Sequence, residues 1–282
     1  MNTQTKTKIG IFIAVIALAT MVWFGKQGYR AAIDYEARTG QIARQMDAAG
    51  VAELKLKELA SLFTLGLVQN DTKERLLALE KQRHIAKITA NQDAVYFALG
   101  AAALLVLYFL LSLRGFTIAV SLGALVALIN GLITPIMLMI VHKEIEYLGD
   151  VILSFESKGI LGSISKLYAE HNLTVAIVIL LFSVIIPLLK TLSMLFVSLY
   201  EYSPFAARVV RFFKHLGKWS MLDVFVVALL LVYMTSNNQD ISRAEAEIGL
   251  YFFLTYVLLS MVASLSADKM LRVKEEKVSI DF

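Results

Sequence analysis

Runs of about twenty apolar residues recur along this chain and constrain it more than any other feature. Hydrocarbon offers the backbone no hydrogen-bond partner, so roughly 20 such residues crossing a bilayer must be helical. Six candidates occur: Ile9–Gly25, Ala94–Leu113, Phe116–Val141, Leu173–Tyr200, Trp219–Met234 and Ile248 to about Leu265. Composition agrees. Of 282 residues, 58% are hydrophobic and 18% charged, against about 45–50% apolar and a quarter charged in soluble domains. The expected fold is all-α: a polytopic integral membrane protein with six transmembrane helices and an extracytoplasmic helical hairpin. An ordinary soluble enzyme is not expected. Cysteine is absent, so there is no disulfide framework, thiolate zinc site or cysteine nucleophile.

The first run resembles a signal peptide, but no small-x-small cleavage site follows it (Trp23, Phe24, Gly25, Lys26), so it reads as an uncleaved anchor. Orientation follows from basic flanks. Lys6, Lys8, Arg114, Arg208, Arg211, Lys214, Lys218, Lys269, Arg272, Lys274 and Lys277 collect on one side, while the opposite loops mix both signs. Both termini are therefore expected in the cytoplasm, and residues 26–92 outside it. The formal charge of +4 fits such anchors, and no nucleic-acid partner is expected.

Residues 26–92 are rich in helix formers and free of proline. Ala48-Ala49-Gly50 marks one break and Asn70-Asp71-Thr72 another, with Asp71 and Glu74 spaced as a capping box. The second arm should run straight into the second span. This hairpin reads as a spacer, as a docking post for an envelope partner, or as a ligand-sensing domain. Its apolar stretch, Leu54 to Leu67, must bury against something. Residues 143–172 alternate apolar and charged positions at near-helical spacing, which predicts short helices in the interface plane. They form either a packed lid or a lateral gate for an amphipathic substrate, with Phe155, Ile160, Leu161 and Ile164 as gate candidates.

Ionisable side chains inside spans are costly, at least about 2.5–3.5 kcal/mol each. Two stand out: Lys190 in the fourth span and Asp223 in the fifth. At 1.5 Å per residue Lys190 lies roughly 13 Å from the cytoplasmic end of its span and Asp223 about 6 Å. A lysine side chain bridges much of that difference, and pairing is the least unfavourable way to keep both charges. Pro187 cannot donate to the carbonyl of Ser183, four residues back, and positions 183, 187 and 190 share a helix face. Ser183, Pro187 and Lys190, with Ser260 and Ser264 of the last span, would make a polar pocket in a dry setting. Asn130 and Thr134 precede a second irregularity at Pro135. The pair reads either as a static bridge or as a proton-responsive, substrate-gating network. There is no G-x-S-x-G, P-loop or H-E-x-x-H pattern, so neither hydrolase nor ATPase chemistry is expected. His142 and His171 stand near Glu144, Glu146 and Glu170, but interfacial polarity explains them as well. No metal or cofactor is expected.

Ser183-Val-Ile-Ile-Pro187-Leu-Leu-Lys190 resembles the S-x-x-x-P-L-x-K signature of the paraquat-inducible protein A family. Gly217-Lys218-Trp219-Ser220-Met221-Leu222-Asp223-Val224-Phe225 is similar to that family's most distinctive stretch. Gly249-Leu250-Tyr251-Phe252-Phe253 and Leu258-Leu259-Ser260-Met261-Val262-Ala263-Ser264 resemble its closing span. The likeness covers about residues 116–272. It implies a multi-pass protein of the bacterial inner membrane, working beside mammalian-cell-entry (MCE) domain proteins and passing phospholipid between bilayer and tunnel. It also implies that Lys190 and Asp223 are the matching intramembrane polar positions, with Ser183 and Ser260 as companions. Well-known members carry two such domains and cysteine-rich zinc ribbons, whereas this chain has one domain and no cysteine. A homo-oligomer could supply the missing half, or the first two spans could replace it. The expected organisation is two spans around the hairpin (1–113), a four-helix family-like domain (114–275) and a cytoplasmic tail (276–282). The expected function is lipid loading or receipt with an MCE partner, the polar site alternating in step with an opening near residues 143–172. The rivals are a proton-coupled transporter of small amphipathic molecules and a non-transporting envelope scaffold.

Overall fold

The computed structural model describes residues 3–47, 50–53, 56, 71–145, 149–199 and 242–280. Helix α1 (Thr3–Gln45) and helix α2 (Asp71–Val106) pack against each other along their length. At 1.5 Å per residue, 43 residues make α1 about 64 Å long, twice a roughly 30 Å hydrocarbon core. Both helices therefore continue past the bilayer as paired arms. Helix α1 ends just before the break expected at Ala48-Ala49-Gly50, and α2 begins at Asp71 and runs unbroken into the second span, as its composition predicts. The apolar stretch between the arms lies outside the described residues, apart from Leu56.

Helix α3 (Leu113–Ile133) is capped by Ser112, whose hydroxyl accepts from the Gly115 N–H. It stops earlier than expected. The sequence extends this span to Val141, but Thr134, held in extended backbone, precedes Pro135 and ends the helix. Strand β1 (Met137–Ile145) follows and pairs antiparallel with β2 (Gly149–Lys158). Strand β3 (Ser242–Ala246) completes a sheet of order β2-β1-β3. The short helices expected from residue 143 are thus corrected to strands as far as Lys158. Met137–Val141 reads equally as the end of a span or as a strand, because a short apolar run carries no period. Helix α4 (Ile160–Ala169) then lies where a surface helix was expected.

The fourth span is α5 (Leu173–Leu180), one wide π turn (Leu181–Ile185) and α6 (Ile186–Leu199). Helix α7 (Ile248–Ile280) carries the last span. Five described helices or helix runs are long and apolar enough to cross a membrane, at the positions of five of the six expected spans. The remaining one, Trp219–Met234, lies outside the described residues. The chain is a multi-pass membrane protein whose described membrane-crossing segments are all helical.

The main core joins α1, α2, α3 and α7 around Met21, Phe97, Leu104, Leu128, Phe252 and Tyr256. Elsewhere the spans expose large apolar side chains, such as Phe12, Val15, Ile177 and Leu258, as lipid-facing helices do. The two ends of the bundle differ. At one end Arg114 donates to the carbonyls of Ser198 and Leu199, and Lys269 to the Tyr108 hydroxyl. At the other stand the arms and the sheet. A smaller core of Tyr35, Ala43, Ala86, Leu138, Ile140 and Ile152 packs the arms onto the sheet.

Close backbone contact locks α3 to α7. The Gly249 N–H donates to the Pro135 carbonyl at 3.0 Å, and a Cβ at Gly249 would lie 2.5 Å from the carbonyl oxygens of Thr134 and Pro135. Gly249→Ala is therefore expected to force the two elements apart and cost about 1–3 kcal/mol. A lowered melting temperature in detergent is the check, and an unchanged one would refute the contact.

Candidate functional site

Lys190 lies on the buried face of α6 and is only 6% exposed. Its Nζ donates to Ser260 Oγ at 3.3 Å. Ser260 is twelve residues past Ile248 and ten short of Met270, so this contact sits near the middle of the last span. Burying an ammonium requires hydrogen-bond acceptors to offset lost hydration. A hydroxyl from a neighbouring helix supplies one. Ser264, a turn further along the same face of α7, is half-buried.

The helix irregularity lies where Pro187 predicts it. Without a Pro187 N–H, the turn carrying Ser183 widens, and the Ile186 N–H bonds to the Leu181 carbonyl five residues back. Ser183 sits inside this turn, half-buried, while Pro187 is buried and its carbonyl accepts from the Thr191 hydroxyl at 2.9 Å. The structure therefore brings Lys190 to Ser260 and places Pro187 one turn away. Asp223 lies outside the described residues.

Asn130 and Thr134 are buried on α3 and at its end. The Asn130 amide donates to the Val126 carbonyl and lies against Gly25 of α1. Sequence reasoning missed three further polar positions between α3 and α7. Thr117 and Ser266 share a hydrogen bond of 2.7 Å, and Ser121, one turn from Thr117, is fully buried with no hydrogen-bond partner among the described residues. Small hydroxyl residues in an apolar run carry no charge cost, so no signal singled them out.

The gate candidates separate. Ile160 packs against the main core, Ile164 is half-buried and Leu161 is 43% exposed, all on α4. Phe155 belongs elsewhere: on β2 it packs with the arm–sheet core and faces Gly40 of α1.

A second polar cluster, at the junction of arms, sheet and last span, was not anticipated. Glu245 of β3 accepts from Lys87 Nζ at 2.5 Å and from the Tyr35 hydroxyl at 3.0 Å. Lys87 also lies 5.5 Å from the Tyr35 ring centre. Burial pushes the Glu245 carboxyl up, but Lys87 and Tyr35 outweigh burial and hold it below its ordinary range. Glu247, buried between β3 and α7, is pushed up to about 7 by burial, with Lys87 pulling it down and Glu245 and Glu36 pushing it up. The cluster unites residues separated by 158 and 210 positions, which explains why no local pattern marked it.

Because Glu247 binds its proton more tightly when folded, its ionisation destabilises the fold as pH rises from the ordinary carboxylate range through about 7. Glu245 acts oppositely, and only at lower pH. The melting temperature should thus fall between about pH 5 and pH 8, and Glu247→Gln should flatten that fall. Parallel curves for both proteins would disprove it.

Residues 116–272 match the family described as Paraquat-inducible protein A. The matched region holds α3 to α6, the sheet and most of α7, and so includes Lys190, Ser260 and Glu247; the arms lie before it. No curated protein and no solved structure matches the chain.

Proposed function

The chain belongs to the paraquat-inducible protein A family, and from that premise we propose that it serves a bacterial envelope lipid-transport system. In this reading it sits in the inner membrane with both termini in the cytoplasm and exchanges phospholipid with an MCE-domain partner. The observation that carries the reading is the buried ammonium of Lys190, hydrogen-bonded to Ser260 at mid-span. A cation at that depth is too costly to serve as packing, since an apolar side chain would pack α6 on α7 without a desolvation penalty. An ammonium at that depth suits an anionic phosphate on an otherwise apolar molecule. The π turn beside it gives the helix a place to change register.

The orientation draws support from the two ends of the bundle: Arg114 and Lys269 stand at one, the arms and the sheet at the other. The arms would then face the periplasm, where an MCE partner stands. The test is affinity capture of the detergent-solubilised full chain, followed by mass spectrometry of co-purifying proteins and lipids. The expected result is phospholipid together with an MCE-domain protein. Recovery of neither would overturn the proposal.

A further inference from the structure

A groove of about 540 Å³ runs between α1 and α2 where they leave the bilayer. Its lower wall is aromatic, with Trp23 exposed and Phe24 stacked on Tyr96 at 4.8 Å. Trp23 and Phe24 close the first apolar run, so they mark the hydrocarbon boundary. Arg30 lines the groove five residues beyond Gly25, about 7–8 Å further out by helical rise. That is the depth of lipid headgroups, a layer roughly 5–8 Å thick on each side. Asp93 lines the same groove from α2, level with Gly28. The residue is only 8% exposed, and one buried carboxylate oxygen has no hydrogen-bond partner among the described residues.

We propose that this groove binds the headgroup of a zwitterionic, primary-amine phospholipid drawn from the adjoining leaflet. Arg30 presents a planar guanidinium fork that matches a phosphate. Asp93 presents an acceptor in want of a donor, and an ammonium bearing N–H groups supplies one where a trimethylated amine has none. Trp23 and Phe24 flank the glycerol and upper acyl carbons. Arg38 and Asp34 also line the groove but pair with each other further out, so Arg30 and Asp93 are the cation and anion at headgroup depth, and together they select a molecule carrying both charges over a purely anionic one. The site lies outside the family-matched region and stands on the membrane placement of α1 and α2 alone, not on the transport reading.

The chain has two tryptophans, Trp23 and Trp219, so a Trp219→Phe background leaves Trp23 as the reporter. The full chain in detergent is titrated with short-chain phosphatidylethanolamine, short-chain phosphatidylcholine and chain-free glycerophosphoethanolamine, and Trp23 emission is read. The ethanolamine lipid should saturate the signal at a concentration roughly tenfold below the choline lipid, the scale of one charge-assisted hydrogen bond. Chain-free headgroup should bind far more weakly. Asp93→Asn should remove most of that preference. Arg30→Gln, at an exposed position, should weaken both lipids alike by roughly tenfold because both carry the phosphate, and Lys190→Ala should leave the Trp23 response intact. Arg30→Gln keeps the test valid if Asp93→Asn fails to fold. Equal response to both lipids, or no effect of Arg30→Gln, would overturn the site. Saturation by the chain-free headgroup as readily as by the lipid would overturn the bilayer as its source.

Discussion

Lys190→Ala is expected to abolish lipid handling while leaving a folded, extractable protein. The physical asymmetry is plain. Lys190 is buried and donates to Ser260 across the α6–α7 contact. Removing the side chain relieves the desolvation of a charge and leaves behind a small hydroxyl that can bond its own helix. Loss of the Ser260 contact alone should change stability by no more than about 1–2 kcal/mol in either direction, and a buried carboxylate left without its cation would add a loss of about 3–5 kcal/mol. Transfer of phospholipid should fall by at least about tenfold if the ammonium holds a phosphate in transit, the scale of one charge-assisted hydrogen bond. Lys190→Arg tests shape against charge: it keeps the cation but replaces a compact ammonium with a broad fork. Asp223→Asn, on the fifth span, should mimic the loss if that carboxylate is the partner that sequence reasoning assigns to Lys190. The measurement is lipid exchange between donor and acceptor vesicles with the reconstituted chain and its partner. Full exchange by Lys190→Ala and by Asp223→Asn would make the lysine a static packing element and sink the mechanism.

What the sequence discloses is what carries a large free-energy signal. Five of the expected spans have helices because hydrocarbon penalises every unpaired peptide group. Lys190, Pro187 and Ser260 were legible for the same reason: a lysine in a span must find a partner, and a proline must leave an unbonded carbonyl. The structure has a Lys190–Ser260 bond and a π turn at those positions, while the expected pairing with Asp223 lies outside the described residues. The sheet was hidden because each strand lacks a local signature. Met137–Val141 is uniformly apolar and extends a span by composition. Ser242–Ala246 reads Ser-Arg-Ala-Glu-Ala, poor strand formers that take up extended backbone only because β1 offers a free edge. The junction cluster was invisible for a different reason, since Tyr35, Lys87 and Glu245 are each unremarkable polar residues until the fold assembles them.

That cluster yields the second large effect. Lys87→Met is expected to destabilise the arm–sheet junction strongly at alkaline pH and weakly at acid pH. Lys87 is the cation nearest to two carboxylates: it bonds Glu245 directly and lowers Glu247 through space. Without it, Glu245 loses what holds it below its ordinary range, and Glu247 rises further above about 7. Both carboxyls then bind protons more tightly in the folded state than in the wild type, so folding loses stability as pH rises through their titration. The pair is partly solvent-exposed, 42% for Lys87 and 32% for Glu245, which limits the penalty to about 1–2 kcal/mol near pH 8. Acidification should return most of it, because a protonated carboxyl no longer needs the cation. Glu245→Gln in the Lys87→Met background should recover stability near pH 8 by removing one uncompensated charge, so the two substitutions are non-additive. Thermal unfolding of the four proteins at about pH 5.5 and pH 8 decides the matter. A Lys87→Met penalty equal at both values, with additive effects, would mean that the lysine contributes only its aliphatic stem against the Tyr35 ring. The charge coupling between arm and last span would then be absent. If the coupling is present, any change of charge at Glu245 or Glu247 reaches α7 within one turn of Ile248, on the helix whose Ser260 holds Lys190.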